Sequence, residues 1–249
     1  MHSPIKNLSV IVPLFNEANR ITRTLPIIDE ELKNLERRHG ICCELIYVDD
    51  GSVDDTPELI KKNSKFHAMQ LVSLPRHTGK GGAIKRGFQE ATGDYILFMD
   101  ADLSTPMKYI ETFLGCIADD RTILIGSRKV QPGLMKVKQS FIRRKLGHGF
   151  TVLCNLLMGT SATDFTCGFK MFPMEAGKRI FDSITISGWG FDAEVIYLAN
   201  VYNYRIREIP VSWFNDEDSR VRLSRDIIGS LWDIIKIKMN SYGGIYENK

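Results

Sequence analysis

An α/β fold built on a mainly parallel, doubly wound sheet is what this sequence predicts, and two observations carry that expectation. Strand-length apolar runs alternate with segments of helical period through the first half of the chain, and two of the runs end in Asp-rich turns. Alternation with short connections favours parallel pairing, because each return to a parallel neighbour needs a crossover, usually a helix. With 249 residues and 43% hydrophobic content, the chain can bury the core of one large domain, and residues 1–249 are expected to form a single unit.

The elements follow in order. Leu8 to Pro13 is β-branched and closed by Pro, a first buried strand. Ile21, Leu25, Ile28, Leu32 and Leu35 mark one face of a helix ending near Gly40, which Pro26 should kink or delay. Cys43 to Val48 is a second strand running into Asp49-Asp50-Gly51-Ser52, and Asp55-Thr56-Pro57 supplies an N-cap and a first-turn Pro. Ala68 to Leu74 is a third strand, Gly81 to Thr92 a helix stopped by Gly93, and Tyr95 to Met99 a fourth strand. Met107 to Ile117 reads as a helix and Thr122 to Ile125 as a fifth strand. The repeat then stops at Pro132-Gly133. One or two amphipathic helices are expected over Val137 to Met158, a strand over Cys167 to Phe172, and helices over Glu175 to Phe181 and Asp192 to Asn203. Arg205 to Phe214 is a strand pair or one strand bent at Pro210, and Arg225 to Tyr242 closes the chain as a helix.

Formal charge is only +3, yet Arg121 to Thr163 holds eight Lys or Arg and no acid, against 25 basic and 30 acidic residues elsewhere. A local basic surface follows. It lacks a helix-turn-helix, zinc-finger or RRM signature, so nucleic acid is not an expected partner. Within it, Lys136, Lys138, Arg143, Arg144 and Lys145 mix with Phe141, Phe150, Leu153, Leu156 and Leu157. A basic amphipathic helix of that kind can lie on a lipid surface, although many such faces are simply solvated. The five cysteines, Cys42, Cys43, Cys116, Cys154 and Cys167, form no Cys-x-x-Cys pair and suit free thiols in a reducing compartment. Met1 to Asn7 has no signal-peptide h-region, and no apolar stretch approaches the roughly 18 residues that span a bilayer. A cytoplasmic protein with peripheral contact at the cytoplasmic membrane face is the expectation.

The chemistry centres on Tyr95-Ile-Leu-Phe-Met-Asp100-Ala-Asp102-Leu-Ser104-Thr-Pro106, an apolar strand that ends in two carboxylates. If extended geometry persists through Ala101, Asp100 and Asp102 point the same way. Paired carboxylates suit a hard cation such as Mg²⁺ or Mn²⁺, with a diphosphate supplying further oxygens. Asp49 and Asp50 end a neighbouring strand at the same sheet edge, where doubly wound sheets bind ligands, and could accept a hydrogen bond from a nucleobase N–H or ribose hydroxyl. Glu17, just past the first strand, would join them. Gly79-Lys80-Gly81-Gly82 has the wrong spacing for a P-loop or dinucleotide fingerprint and reads as a flexible turn before a helix, with Lys80 and Arg86 available to an anion.

Ser9-Val-Ile-Val-Pro13 with Phe15-Asn16-Glu17, Val48-Asp49-Asp50-Gly51-Ser52, Gly93-Asp94-Tyr95 running to Asp102, and Gly126-Ser127-Arg128 resemble the inverting family 2 glycosyltransferases of the GT-A fold. Asp164-Phe-Thr-Cys-Gly-Phe-Lys170 and Trp189-Gly-Phe-Asp192-Ala-Glu194 are similar to the branch with dolichyl-phosphate glucose and dolichyl-phosphate mannose synthases. The resemblance implies that Pro13, Phe15, Glu17 and Asp50 line a nucleoside pocket, and that Asp49, Asp100, Ala101 and Asp102 complete the nucleotide-sugar site. Asp100 and Asp102 would hold the metal, and Arg128 would face an acceptor phosphate with Arg144 and Arg220 as helpers. Asp102 and Arg128 would be the catalytic residues. Ser104 stands where some mannose synthases carry Gln, which leaves the third metal ligand and the donor open.

By this resemblance, residues 1–128 form the nucleotide-sugar half and 129–249 the acceptor and membrane half. The implied activity is metal-dependent, inverting transfer of a hexose to a polyprenyl (dolichyl-type) phosphate. Glucose from UDP-glucose ranks first and mannose from GDP-mannose second. The alternatives are a soluble enzyme acting on a sugar hydroxyl, which would need Asp192 or Glu194 as general base, and a non-catalytic sugar-nucleotide binder.

Overall fold

The computed structural model describes residues 5–130, 141–214 and 223–246. Strands β1 (Asn7–Leu14), β2 (Cys42–Asp49), β3 (Met69–Ser73), β4 (Tyr95–Met99), β5 (Thr122–Ser127), β6 (Phe169–Pro173) and β7 (Arg205–Pro210) form one sheet in the order β3-β2-β1-β4-β6-β5-β7. Helices α1 (Ala18–His39), α2 (Thr56–Asn63), α3 (Lys80–Glu90), α4 (Tyr109–Cys116), α5 (Phe141–Met158), α6 (Met174–Ser183), α7 (Phe191–Val201) and α8 (Leu223–Tyr242) connect the strands and close the chain.

Side-chain alternation sorts the core onto both faces of the sheet. Along β1, Leu8, Val10, Val12 and Leu14 pack with α1, α2 and α4, while Ile11 turns to the opposite face with Ala83, Ile84 and Phe88 of α3 and Phe181 of α6. Ile21, Leu25, Ile28, Leu32 and Leu35 of α1 are all buried, as their spacing requires. Gly40 ends that helix in the left-handed conformation at φ 63°, donating its N–H to the Glu36 carbonyl at 2.9 Å.

The sheet is mixed, as expected, and β6 is the reason. Four strand pairings, β1–β2, β1–β4, β2–β3 and β5–β7, are parallel, but β6 runs antiparallel to both β4 and β5. Its first residues, rather than its last, therefore meet the carboxyl ends of β4 and β5. The order of strands reverses on either side of β1, which creates a switch point between β1 and β4 at the carboxyl edge.

Several local expectations are corrected. Pro26 lies inside α1, which starts at Ala18, so the proline does not delay it. Asp55 occupies the N-cap position of α2 but makes no side-chain cap. Asp54 serves instead, its carboxylate accepting from Thr56 N at 3.1 Å and Thr56 Oγ1 at 2.5 Å. The helix expected to reach Thr92 ends at Glu90, because Thr92 N is drawn to Glu44 at 2.6 Å. The last strand is a single one that ends at Pro210. The expected basic helix is α5 over residues 141–158, while Lys136 and Lys138, and the side chains of Arg143, Arg144 and Lys145, lie outside the described residues.

Candidate active site

The carboxyl edge of the sheet gathers the ends of β1, β2, β4 and β5 with the start of β6. At its centre, β4 stops at Met99 and the chain turns at once, with Leu103 N bonded to the Asp100 carbonyl at 3.3 Å and Leu103 at φ 54°. Strand geometry thus does not persist through Ala101, which is buried. The turn still leaves the carboxylate of Asp102 within reach of the Asp100 charge. Burial, then the neighbouring Asp100 charge, pushes the Asp102 carboxyl above its ordinary range, against hydrogen bonds from the Ser104 amide and hydroxyl. Ser104 N lies 2.8 Å from Asp102 Oδ1, so Ser104 braces this carboxylate.

Asp100 is held from two sides. Its N–H bonds the Gly168 carbonyl at 3.1 Å, across the antiparallel β4–β6 junction, and Lys80 Nζ lies 2.5 Å from its Oδ1. Lys80 begins α3 and sits 5.7 Å from the ring centroid of Trp189. Burial alone would lower the Lys80 pKa, but Asp100, Asp192 and Asp102 reverse the sign and raise it, so the ammonium stays charged. Behind it, fully buried Lys170 bonds Asp192 and, at 2.8 Å, the Cys167 carbonyl. Burial raises the Asp192 carboxyl, with Lys170 and Lys80 opposing.

Asp192 and Glu194, the bases that a hydroxyl acceptor would need, are both committed to buried partners. Gly190 is the N-cap of α7, and the Asp192 carboxylate is spent on Lys170. Glu194, also fully buried, accepts from Thr185 N, Thr185 Oγ1, Ile186 N and Tyr246 Oη at 2.6–3.0 Å. It ties α7 to the chain end and to the loop after α6.

The loops after β1 and β2 lock together beside this centre. Asn16, at φ 53°, donates its N–H to Ser52 Oγ at 2.8 Å and accepts Val53 N at 2.8 Å. Asp49 makes a local turn with Ser52 N at 3.2 Å. Asp50 reaches further, to Thr78 N and Oγ1 at 2.7 Å, Gly79 N at 2.8 Å and His77 Nδ1 at 2.7 Å. Phe15 stacks on His77 with ring centroids 3.9 Å apart, and Glu17 pairs with Arg20. Gly81 N and Gly82 N are taken by the Ser187 carbonyl at 2.8 and 3.4 Å, so these glycines, expected in a flexible turn, form the tethered first turn of α3.

Arg128 follows β5 and grips Asp164. Its Nε and Nη2 each lie 2.7 Å from that carboxylate, and Nη2 also reaches Thr166 Oγ1 at 2.8 Å. Burial would raise Asp164, but the Arg128 guanidinium outweighs it and holds the carboxyl at about 2. The same pairing pushes Arg128 up against the opposing effect of burial. Trp213 lies under the guanidinium at 5.6 Å.

The expected residues Pro13, Phe15, Glu17, Asp49, Asp50, Asp100, Ala101, Asp102 and Arg128 all stand at this one edge of the sheet. The Arg144 side chain and Arg220 lie outside the described residues. Sequence reasoning passed over His77 and gave no role to Asp164, Gly168, Lys170 or Trp189, although the last four fall in quoted motifs. Among the described residues no group of three or more His, Cys, Asp or Glu is placed to hold a metal. Asp100 and Asp102 are thus the candidate protein ligands, and their mutual repulsion fits a hard divalent cation whose remaining oxygens come from phosphate.

The chain matches the family model described as glycosyl transferase family 2 over residues 9–181. It is 32% identical to the dolichyl-phosphate beta-glucosyltransferase of Saccharomyces cerevisiae, over 97% of this chain and 77% of that protein. It is 35% identical to the enzyme of that name from Dictyostelium discoideum, over 99% and 79%, and to that from Homo sapiens, over 88% and 71%. Among solved structures, mannosyl-3-phosphoglycerate synthase from Rubrobacter xylanophilus aligns with a TM-score of 0.70 at 18% identity, covering 96% of this chain and 75% of that one. Glucosyl-3-phosphoglycerate synthase from Mycobacterium tuberculosis, solved with Mn²⁺, UDP and glucosyl-3-phosphoglycerate, aligns with a TM-score of 0.64 at 19% identity, covering 92% and 80%. These structures share the GT-A fold described above, and the chain belongs to glycosyl transferase family 2.

Proposed function

We propose that this protein is an inverting glucosyltransferase that moves glucose from UDP-glucose to a dolichyl-type polyprenyl phosphate at a membrane surface. The observation that carries the reading is the Asp100–Asp102 pair at the switch point, braced by Ser104 and Lys80, in a chain about one-third identical to dolichyl-phosphate beta-glucosyltransferases along nearly its whole length.

In this reading Phe15 and Asp50 bound the nucleoside pocket and Lys80 neutralises donor phosphate. Asp100 and Asp102 hold Mg²⁺ or Mn²⁺, a Lewis acid that stabilises the departing nucleoside diphosphate. Arg128, fixed in orientation by Asp164, turns cationic surface toward the acceptor and offsets repulsion between two phosphates. The acceptor is already anionic, so attack in line at the anomeric carbon needs no base. That suits a site in which Asp192 and Glu194 are both consumed by buried partners.

The membrane contact of this reading is supported by α8. Trp232, Ile235, Met239 and Tyr242 recur along one helical face and are 46–86% exposed, flanked by Lys236 and Lys238. Leu156 on α5 is also 78% exposed, and α5 packs against α8. A stripe of aromatic and aliphatic side chains rimmed by lysine suits an anionic lipid interface. No helix among the described residues is long and apolar enough to cross a membrane.

The test is product analysis. Protein is incubated with UDP- and GDP-sugars, Mn²⁺ and a polyprenyl phosphate, and the lipid product is identified by mass and anomeric configuration. A β-glucosyl phosphate lipid from UDP-glucose is expected. A mannosyl lipid from GDP-mannose, or transfer only to sugar hydroxyls, overturns the assignment.

A further inference from the structure

We propose that His77 is a nucleobase-site residue whose imidazole occupies the place of the base, so that donor nucleotide binds by displacing it. The proposal rests on the reading above that Phe15 and Asp50 bound the nucleoside pocket.

Two contacts of His77 are those a base would make. Its ring stacks on Phe15 with centroids 3.9 Å apart and an interplanar angle of 27°. A base inserted between two rings needs them about 7 Å apart, twice the ordinary carbon contact distance, so nothing enters between Phe15 and His77 as they stand. Its Nδ1 also lies 2.7 Å from Asp50 Oδ2. An ionised carboxylate offers about four acceptor sites. Asp50 already serves four donors: His77 Nδ1, Thr78 N, Thr78 Oγ1 and Gly79 N. A base N–H reaching Asp50 must therefore take the place of one of them.

His77 and the Thr78 hydroxyl are the donors on rotatable side chains, and of these two His77 carries the ring stacked on Phe15. The amides of Thr78 and Gly79 belong to a backbone pinned on both sides. A Cβ on Gly51 would stand 2.8 Å from the Arg76 carbonyl carbon, and one on Gly79 would stand 2.5 Å from the Ser187 carbonyl oxygen, so the loop backbone packs closely against its neighbours at both ends. The His77 side chain, in contrast, is 53% exposed and turns on its own rotors into solvent. Rotating it out frees at one stroke a stacking face on Phe15 and an acceptor on Asp50. A nucleobase with an imide-type N–H, as in uracil, replaces both ring for ring and donor for donor. His77 thereby sets the affinity of the base without touching phosphate, metal or sugar.

The experiment is calorimetric titration of the full chain with UDP in the presence of Mn²⁺, with pyrophosphate as a probe that lacks the base. His77→Ala is expected to tighten UDP about fivefold or more, the fraction recovered when the closed form is removed, and to leave pyrophosphate unchanged. His77→Asn, which keeps a donor for Asp50 and loses the ring, should tighten UDP by a smaller factor and serves if the alanine variant folds poorly. Phe15→Ala tests the underlying pocket and should weaken UDP. UDP affinity unchanged or weakened by His77→Ala, with Phe15→Ala still weakening it, overturns the role of His77 alone. UDP affinity indifferent to Phe15→Ala removes the nucleoside pocket from this place, and the role of His77 with it.

Discussion

Gly168 lies against the carboxylate of Asp100 so closely that a Cβ at position 168 would stand 2.0 Å from Asp100 Oδ2 and 2.4 Å from Cγ. The atoms in the way are the end of a side chain that is 35% exposed, so it can swing aside. Gly168→Ala is therefore expected to cost little stability and much activity. Its thermal midpoint should stay within about 3 °C of wild type, equivalent to roughly 1 kcal/mol, while kcat falls at least tenfold as Asp100 leaves Lys80. Wild-type kcat in a folded Gly168→Ala protein would show that the Asp100 position is not used.

Asp102 separates stability from function. Its raised carboxyl means that the charged form is disfavoured in the fold. The stability it contributes is full below the ordinary carboxylate pKa near 4 and is lost as pH rises through the raised folded value. Asp102→Asn, which still accepts from Ser104 N, should thus melt higher than wild type at pH 7 in the absence of metal, with the gain vanishing below about pH 4. Turnover should fall by orders of magnitude, and chelation of wild type by EDTA should do the same reversibly. Near wild-type turnover in either case removes the carboxylate pair from the metal.

Replacing Asp192 removes the carboxylate partner of Lys170 and leaves its buried ammonium with the uncharged Cys167 carbonyl and the Phe98 ring face, 5.3 Å away. Asp192→Asn should destabilise the fold by about 3 kcal/mol or more, and Glu194→Gln should also lower the midpoint by weakening four hydrogen bonds. In the fraction that stays folded, activity should remain within roughly a hundredfold. A loss beyond ten-thousandfold with unchanged UDP affinity would mean that a proton is being abstracted, and the acceptor would then be a hydroxyl.

The Arg128–Asp164 pair should mark the acid limit of the protein. With the Asp164 carboxyl at about 2, its stabilisation is fully present above the ordinary carboxylate pKa and is lost as pH falls from there through the folded value of about 2. Asp164→Asn should cost about 3 kcal/mol at neutral pH, and its thermal midpoint should converge with that of wild type near pH 2. A constant gap between the two melting curves down to pH 2 would show that the pairing is not the source.

Glutamate at Trp232 and Met239 tests the α8 surface. Both side chains are 67% exposed, so the double variant should fold with its midpoint within a few degrees of wild type. Its co-sedimentation with anionic vesicles should drop, and transfer to a lipid acceptor should drop with it. Unchanged sedimentation would return α8 to an ordinary solvated helix.

The sequence by itself determined the elements and one end of the site. Apolar spacing in α1 and the β-branched run of β1 are local signals, written within a few residues of one another, and each emerged as expected. The acidic ends of β2 and β4 were equally legible, because a strand that stops in carboxylates shows its polarity in one line of text. What tertiary structure alone decided is which distant groups meet. Arg128 and Asp164 are 36 residues apart, Lys170 and Asp192 are 22 apart, and Asp50 reaches Thr78 across 28. Those pairings depend on strand order and direction, above all on β6 entering antiparallel so that Gly168 meets Asp100. No periodicity within a strand encodes its neighbour, since register is fixed by the packing of both faces at once. The same fact turned Asp192 and Glu194 from candidate bases into buried anchors, because their burial depends on partners that the local sequence does not contain.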